Sequence, residues 1–216
     1  MLKPTESHVA QAVPACRYKN VIFDLGGVLI YFNPKELVDN IFSDCVEKPY
    51  HLVGAVQTEA WLDMDRGKLL FPEVAQALAG EYDPAQICQY LEAIPAYLNP
   101  IAEGLRLLQE VKARGFNVYV LSNLSAYAHE ATKKHTHFFE PFDGAIFSYQ
   151  IGFAKPDPEM YQALLATYGL KAEECVFIDD LEKNVAAGKA LGIDGILCDN
   201  YARVRRELIA RGILAE

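Results

Sequence analysis

Residues 20–34 read NVIFDLGGVLIYFNP, and this stretch decides how the rest of the chain is interpreted. Four residues that suit a buried strand lead directly into Asp24, and Gly26 and Gly27 follow at once. A carboxylate at the end of a buried strand is costly unless other groups compensate its charge. We therefore expect Asp24 to have a chemical role, with its partners elsewhere in the sequence.

The composition is that of a globular protein with an acidic surface. The chain has 216 residues, of which 51% are hydrophobic and 23% charged, and its formal net charge is −9. This charge disfavours nucleic acids and anionic membranes as main partners, because both are polyanions. No apolar run approaches the roughly 20 residues that a membrane helix requires.

The cysteines and the N-terminus bear on location. Five scattered cysteines without a C-x-x-C pair argue against a zinc site or disulfide framework and favour a reducing, cytoplasmic location. Residues 1–19 lack the apolar core of a signal peptide, and we expect this leader to be poorly ordered. The sequence does not decide between a monomer and a homodimer.

Five short apolar runs predict the strands of a sheet, at 21–24, 118–122, 144–147, 175–179 and 195–199. They show no polar alternation, which is typical of parallel strands covered by helices on both faces. Asn99-Pro100 and Asp157-Pro158 each predict the start of a helix between strands. The alternation of strands and helices predicts an α/β fold with a doubly wound parallel sheet.

One interval does not fit this alternation. Residues 25–117 are far more than a crossover between two strands requires, and residues 34–98 show helical periodicity without a convincing strand. We expect 34–98 to form an inserted all-helical domain, with 20–33 and 99–216 forming the sheet domain. Ligands of open α/β sheets bind at the carboxyl ends of the strands, so this insertion would cover the site as a lid.

Polar residues follow the predicted strands where each one ends. The first strand ends at Asp24, the second at Ser122-Asn123, and the fourth at Asp179-Asp180. Because these ends lie at one edge of a parallel sheet, we expect the side chains to converge. Three carboxylates in a small volume require a shared proton or a bound cation, and oxygen ligands with open positions suit Mg²⁺.

The loop SYQIGFAKPDPEMY brings Lys155 to the same edge. A cation, Lys155, the Ser122 hydroxyl and the backbone N–H groups from Asn123 onward would together hold a phosphoryl group. Asp24 would then take the phosphoryl covalently and pass it to water, while Mg²⁺ offsets the repulsion between Asp24 and the phosphate dianion. The Gly26 carbonyl is a candidate for a further metal ligand.

Four segments resemble the motifs of the haloacid dehalogenase-like (HAD) hydrolase superfamily: VIFDLGGVL, VYVLSN, GFAKPDPEMY and CVFIDDLEKNVAAGKALGI. The resemblance covers nearly all of residues 20–200, and the helical insertion is similar to the subfamily I cap. It implies a Rossmann-like core, a mobile cap and an aspartyl-phosphate intermediate.

The resemblance also implies a role for each matching residue. It assigns the nucleophile to Asp24, the phosphoryl contacts to Ser122 and Lys155, the direct Mg²⁺ ligand to Asp180, a metal-bound water to Asp179, a carbonyl ligand to Gly26 and an outer position near Lys155 to Asn184.

The sequence departs from the family pattern at Gly26. In most phosphatases of the superfamily this position is a second Asp, which protonates the leaving group and then activates water. Such general acid–base help is typically worth about 10²–10⁴-fold in rate. A substrate with a good leaving group would need it less, and DLGG is similar to the branch that contains α-glucose-1-phosphate phosphatases.

A residue of the insertion is a second possible source of the proton. The segment EAWLDMDRGKLLFPEV contains Glu59, Asp63, Asp65 and Arg66 close to a turn at Gly67. Arg66 is a candidate for binding a substrate anion, with an ion pair to Asp63 as the alternative.

The sequence therefore predicts a Mg²⁺-dependent phosphatase that acts on a small phosphorylated metabolite, with a sugar phosphate as one option. A catalytically weak or non-catalytic phosphate-binding protein is one alternative. A 2-haloacid dehalogenase is another, since dehalogenases of the superfamily also lack the second Asp. They need no metal, however, which would leave the pair Asp179-Asp180 unexplained.

Overall fold

The structure, a computed structural model, describes residues 16–133 and 138–216. Its strands are β1 Asn20–Phe23, β2 Ile30–Tyr31, β3 Asn99–Pro100, β4 Asn117–Ser122, β5 Gly144–Phe147, β6 Cys175–Asp179 and β7 Asp194–Leu197. The main sheet has the order β5-β4-β1-β6-β7, and every neighbouring pair is parallel. The predicted α/β fold is confirmed, with strand ends shifted by a residue or two.

The α-helices of the described residues lie between these strands, except α10, which follows the last one. They are α1 Pro34–Ile41, α2 Glu59–Asp65, α3 Phe71–Leu78, α4 Pro84–Tyr97, α5 Ala102–Ala113, α6 Ala126–Thr132, α7 Ser148–Ile151, α8 Pro158–Tyr168, α9 Glu182–Ala190 and α10 Tyr201–Ala210. Short 3₁₀ helices occur at Tyr50–Gln57 and Ala172–Glu174. None of the helices in the described ranges combines the length and the apolarity that crossing a membrane would require.

Both faces of the sheet are covered, as the lack of polar alternation predicts. In β1, Val21 and Phe23 pack into one apolar cluster, whereas Ile22 packs into another on the opposite face. Successive side chains of a strand point to opposite faces, so β1 lies between two helical layers. Its central place in the sheet puts the residue after it, Asp24, between the ends of β4 and β6.

Residues 34–98, the predicted helical insertion, contain α1 to α4 and include buried apolar residues, among them Leu37, Val74 and Leu91. Its two connections to the sheet domain pair as an antiparallel ribbon, β2 with β3. The prediction that Asn99-Pro100 starts a helix is wrong, because these residues form β3. Pairing of Asn99 with Tyr31 prevails over local capping, and α5 begins at Ala102.

The last residues of the predicted leader, 16–19, lie against the sheet in the structure. Residues 1–15 lie outside the described residues, so that part of the prediction is not examined by the structure. Tyr18 is buried, and its hydroxyl donates a hydrogen bond to Asp194. The backbone N–H of Lys19 donates to the carbonyl of Glu174 at 2.9 Å. These contacts tie residues 16–19 to the sheet domain.

Candidate active site

Asp24 lies at the carboxyl end of the central strand. Its backbone N–H donates to the Ile178 carbonyl at 2.9 Å, which continues the ladder between β1 and β6. Its side chain is buried, and Oδ1 accepts a hydrogen bond from the Leu25 N–H at 2.6 Å. Lys155 Nζ lies 2.9 Å from Asp24 Oδ1 and 2.7 Å from Asp179 Oδ2. One buried cation therefore joins two buried carboxylates.

The buried setting changes the proton affinity of these groups. Burial raises the pKa of Asp24 to about 7, against the lowering effects of Lys155 and of a hydrogen bond from the Ser122 hydroxyl. Burial lowers the pKa of Lys155, but Asp24 and Asp179 more than offset this and hold that pKa above its ordinary value. Lys155 thus remains a cation inside the site.

Asp180 completes an acidic cluster with Asp24 and Asp179. Each residue offers one carboxylate oxygen, and these oxygens all lie within 4.8 Å of one another. Asp180 is the most exposed of the three, and burial together with Asp179 raises its pKa. Oxygen ligands that carry more negative charge than Lys155 neutralises suit a hard divalent cation such as Mg²⁺. The residues of the cluster therefore fit the predicted metal.

Asp179 is the most firmly held of the three carboxylates. Its Oδ1 accepts hydrogen bonds from the Leu181 N–H at 2.8 Å and from Asn184 Nδ2 at 3.0 Å. Its Oδ2 accepts from Asn184 Nδ2 at 3.1 Å and from Lys155 Nζ at 2.7 Å. Asn184 and Lys155 therefore meet on the same carboxylate.

Asn123 supports the loop that carries Lys155. Its Oδ1 accepts from the Lys155 N–H at 2.6 Å, and its Nδ2 donates to the Lys155 carbonyl at 2.9 Å. Both ends of the amide are thus engaged with backbone, so the side chain positions Lys155. The group of Asn123 that could contact a phosphoryl group is therefore its backbone N–H and not its side chain.

The two glycines after Asp24 have different functions. Gly27 has φ +68°, and a Cβ there would lie 2.4 Å from Asp180 Oδ2, so only glycine leaves room for this carboxylate. Gly26 has nothing within 4 Å of the point where a Cβ would lie, and it lines an open cavity. The position at which the family resemblance leads us to expect a second Asp therefore borders free space here.

The family model for haloacid dehalogenase-like hydrolases matches residues 18–192. The chain belongs to this family. It is 31% identical over 188 residues to a sesquiterpene phosphatase of Aspergillus oryzae, which covers 86% of this chain and 92% of that protein.

Two comparisons with proteins of Bacteroides thetaiotaomicron agree with this family membership. A D-ribitol-5-phosphate phosphatase is 27% identical over 205 residues, covering 88% of this chain and 96% of that protein. A HAD family enzyme in complex with magnesium and inorganic phosphate superposes with a TM-score of 0.67 at 24% identity, covering 87% of this chain and 98% of that one. With phosphatases among its named relatives, this HAD-like protein is a hydrolase.

The structure does not bring Arg66 of this HAD-like hydrolase to the acidic cluster. Its guanidinium lies 2.8 Å from Glu59 Oε1, 3.4 Å from Asp63 Oδ1 and 3.9 Å from Asp157 Oδ2. The ion pair with Asp63, the alternative left open by the sequence, is the one observed. Three carboxylates already compensate this charge, so its position does not support a contact with the phosphoryl group.

Of the four charged candidates Glu59, Asp63, Asp65 and Arg66, Asp65 is the one that lines the cavity beside the acidic cluster. It ends α2 with 8% of its surface exposed, and it lines one cavity together with Gly26, Ser122 and Asp180. Burial raises the pKa of Asp65 to about 7, against hydrogen bonds from the Trp61 side chain and a backbone N–H, with a smaller raising effect of the negative Asp24. Asp65 is therefore a carboxyl group that holds a proton near neutral pH.

The sequence contains part of the information that would identify Asp65 as a site residue. Trp61 and Asp65 are four residues apart, which places them on one face of a helix. Periodicity does not say which face of α2 meets the sheet domain, and that contact distinguishes Asp65 from Glu59 and Asp63.

Proposed function

We propose that this HAD-like hydrolase is a Mg²⁺-dependent phosphatase that cleaves a small phosphorylated metabolite through an aspartyl-phosphate intermediate. One observation carries the proposal: three carboxylates at neighbouring strand ends lie within 4.8 Å of one another, two of them are paired with the buried Lys155, and Ser122 is hydrogen-bonded to Asp24. When bound by Asp24, Asp180 and the Gly26 carbonyl, Mg²⁺ would offset the repulsion between Asp24 and the phosphate dianion.

In the first step, the phosphoryl group moves from the substrate to Asp24, and each residue of the site has its own role. A carboxylate oxygen of Asp24 forms a bond to phosphorus while the bond from phosphorus to the ester oxygen breaks. Lys155 and Ser122 hold phosphoryl oxygens and keep Asp24 in place, and Asp179 fixes Lys155. In the second step, water attacks the phosphorus, inorganic phosphate leaves, and the Asp24 carboxylate is restored.

We assign the proton transfers to Asp65, which answers the absence of an acid at Gly26. Its carboxyl group would give a proton to the leaving ester oxygen and later take one from the attacking water. A pKa near 7 suits a group that acts as acid in one step and base in the next. Because Asp65 belongs to the insertion, the donor is present only while α2 lies against the sheet domain.

The relatives support the reaction and leave the substrate open. Those named above act, by their names, on a sesquiterpene compound and on D-ribitol 5-phosphate, which are very different organic groups. The shared element is a phosphate on a small organic molecule, and this is the part that the proposal takes from them.

Phosphate release from p-nitrophenyl phosphate with Mg²⁺ tests the proposal. We expect EDTA to abolish turnover and Asp24→Asn to lower kcat by at least about 10³-fold, since the nucleophile is lost. Asp199→Asn, which changes an exposed carboxylate outside the cluster, is the control and should keep wild-type activity.

Four results would contradict the proposal. Turnover that survives EDTA would exclude the metal, and wild-type turnover by Asp24→Asn would exclude the nucleophile. Chloride release from 2-chloropropionate without phosphatase activity would indicate a dehalogenase. Binding of Mg²⁺ and phosphate with no turnover of any phosphate ester would indicate a non-catalytic protein.

A further inference from the structure

We infer that the substrate carries its phosphate on an apolar, hydrocarbon-like group and not on a sugar or polyol. The inference rests on the proposed function, because it takes the acidic cluster as the place where the phosphate binds. It concerns the cavity beside that cluster, whose walls determine which organic groups fit there.

The cavity lies between the helical insertion and the strand ends and has a volume of about 460 Å³. Gly26, Ser122 and Asp180 line the part next to the acidic cluster. Cavities of this size bind small organic molecules, and their few polar groups fix the orientation of the ligand. A phosphate at the cluster would therefore direct the rest of its ester into the cavity.

The remaining walls are predominantly apolar. Those from the insertion are formed by the side chains of Val56, Trp61, Met64, Phe71, Leu91 and Ile94. Two aromatic pairs join these walls to neighbouring segments: Phe32 stacks on Trp61 at 6.5 Å between ring centroids, and Phe71 meets Tyr127 at 4.6 Å. Among the described residues that line the cavity, the charged ones are Asp65 and Asp180, and neither is a cation.

These walls disfavour a sugar. A sugar phosphate carries a hydroxyl on nearly every carbon, and each hydroxyl gives up hydrogen bonds to water when it enters the cavity. The apolar side chains offer no replacement partners, so each such hydroxyl would weaken binding. A hydrocarbon group loses nothing in the same transfer and gains from removal of its surface from water. The sequence-based option of a sugar phosphate is therefore not favoured by the cavity.

The inference also agrees with the assignment of Asp65. An alkyl alcohol is a poor leaving group, so its phosphate ester needs a proton donor more than an anomeric sugar phosphate does. The acid that compensates for Gly26 and the apolar walls thus point to the same class of substrate.

Trp61 allows a direct binding test, since it is the only tryptophan in the chain and lines the cavity. Fluorescence titrations with Mg²⁺ and non-hydrolysable methyl-, butyl- and octylphosphonate should show that Kd falls by about threefold per added methylene group. A Kd that does not change with chain length would overturn the inference. This readout does not depend on turnover, so it holds even if the protein releases no phosphate.

Matched variants locate the effect in the cavity. Phe71→Ser removes a wall, and Tyr82→Ser changes a partly buried aromatic residue of the insertion that does not line the cavity. We expect Phe71→Ser to raise the Kd of octylphosphonate by at least tenfold and leave methylphosphonate unchanged. Tyr82→Ser should leave both unchanged. Equal effects of the two variants would overturn the inference.

Kinetics then separate the inference from the proposed function. With Mg²⁺, kcat/KM for octyl phosphate should exceed that for ribitol 5-phosphate by at least tenfold. A preference for ribitol 5-phosphate or glucose 1-phosphate would overturn the inference and leave the phosphatase proposal intact. Absence of turnover on every ester, together with tight octylphosphonate binding, would overturn the phosphatase proposal and leave the apolar cavity as a binding site.

Discussion

Among single residues, Asp65 makes the most specific kinetic prediction. If it protonates the leaving oxygen, its removal should matter most when that oxygen leaves as an alkoxide. We expect Asp65→Asn to lower kcat for octyl phosphate by about 10²–10⁴-fold. The loss with p-nitrophenyl phosphate should be less than about tenfold, because p-nitrophenolate leaves without a proton. Steady-state kinetics on both substrates measure the ratio.

Gly26 provides the control for this prediction. A Cβ at this position meets nothing within 4 Å, so Gly26→Asp can place a carboxyl group in the cavity without displacing its neighbours. The change should restore part of the octyl phosphate activity of Asp65→Asn and add little to the wild type. Equal losses on both substrates, with no restoration, would mean that Asp65 has a structural role only.

The same residue makes the stability of the protein depend on pH. Burial raises the pKa of Asp65 from 3.8 to about 7, so the folded protein holds this proton more tightly than the unfolded chain. Its contribution is complete below about pH 4 and is lost as the pH rises through about 7. Asparagine stays neutral, so Asp65→Asn should gain stability relative to wild type between pH 5 and pH 8, by roughly 2–3 kcal/mol at most. Urea unfolding at the two pH values measures this, and a difference that does not change with pH would contradict it.

At the scale of elements, the turn after α2 determines where Asp65 lies. Gly67 has φ +72°, and a Cβ there would lie 2.6 Å from the Tyr149 carbonyl oxygen in α7. Ser148 of α7 also donates a hydrogen bond to the Asp65 carbonyl and accepts one from the Leu124 N–H at 2.9 Å. The end of α2 is therefore held against the sheet domain by a close backbone approach that requires glycine.

Replacement of this glycine should disturb both stability and proton transfer. We expect Gly67→Ala to cost about 1–2 kcal/mol from backbone strain alone and to lower kcat for octyl phosphate, because α2 must move away from α7. Gly80→Ala is the matched control, since Gly80 lies in the same insertion and meets nothing within 4 Å. Chemical unfolding and kinetics test both variants, and identical behaviour would contradict this account of the turn.

The elements also show where sequence patterns stop being sufficient. The strands were predictable because apolar runs without polar alternation are typical of a sheet covered on both faces. Asn99-Pro100 has the local chemistry of a helix start, yet pairing with Ile30 and Tyr31 makes it a strand. The local tendency to cap a helix is weaker than the stabilisation from backbone hydrogen bonds to a strand that is distant in sequence.

At the scale of the whole molecule, the contrast between local sequence patterns and long-range packing explains which site residues the sequence could identify. Asp24, Ser122 and Asp180 lie at the carboxyl ends of parallel strands, so sheet topology alone brings them together. Asp65 and Arg66 belong to a helix whose docking face depends on the packing of the entire insertion. Their environments differ completely, with one buried in the cavity and the other paired with surface carboxylates, although they are adjacent in sequence.

If the cluster of like charges at the strand ends binds Mg²⁺ as proposed, we expect the stability of the whole protein to depend on Mg²⁺. A ligand that binds only the folded state at 100 times its Kd stabilises it by about 2.7 kcal/mol, which for a chain of this length raises Tm by about 5–10 °C. Burial raises the pKa of Asp24 to about 7, so protons compete with the metal below that pH, and the increase in Tm should be larger at pH 8 than at pH 6.

Asp180→Asn should remove most of the increase, whereas Asp199→Asn, outside the cluster, should retain it. Thermal unfolding monitored by circular dichroism measures these differences, and an equal increase in wild type and Asp180→Asn would show that the metal binds elsewhere.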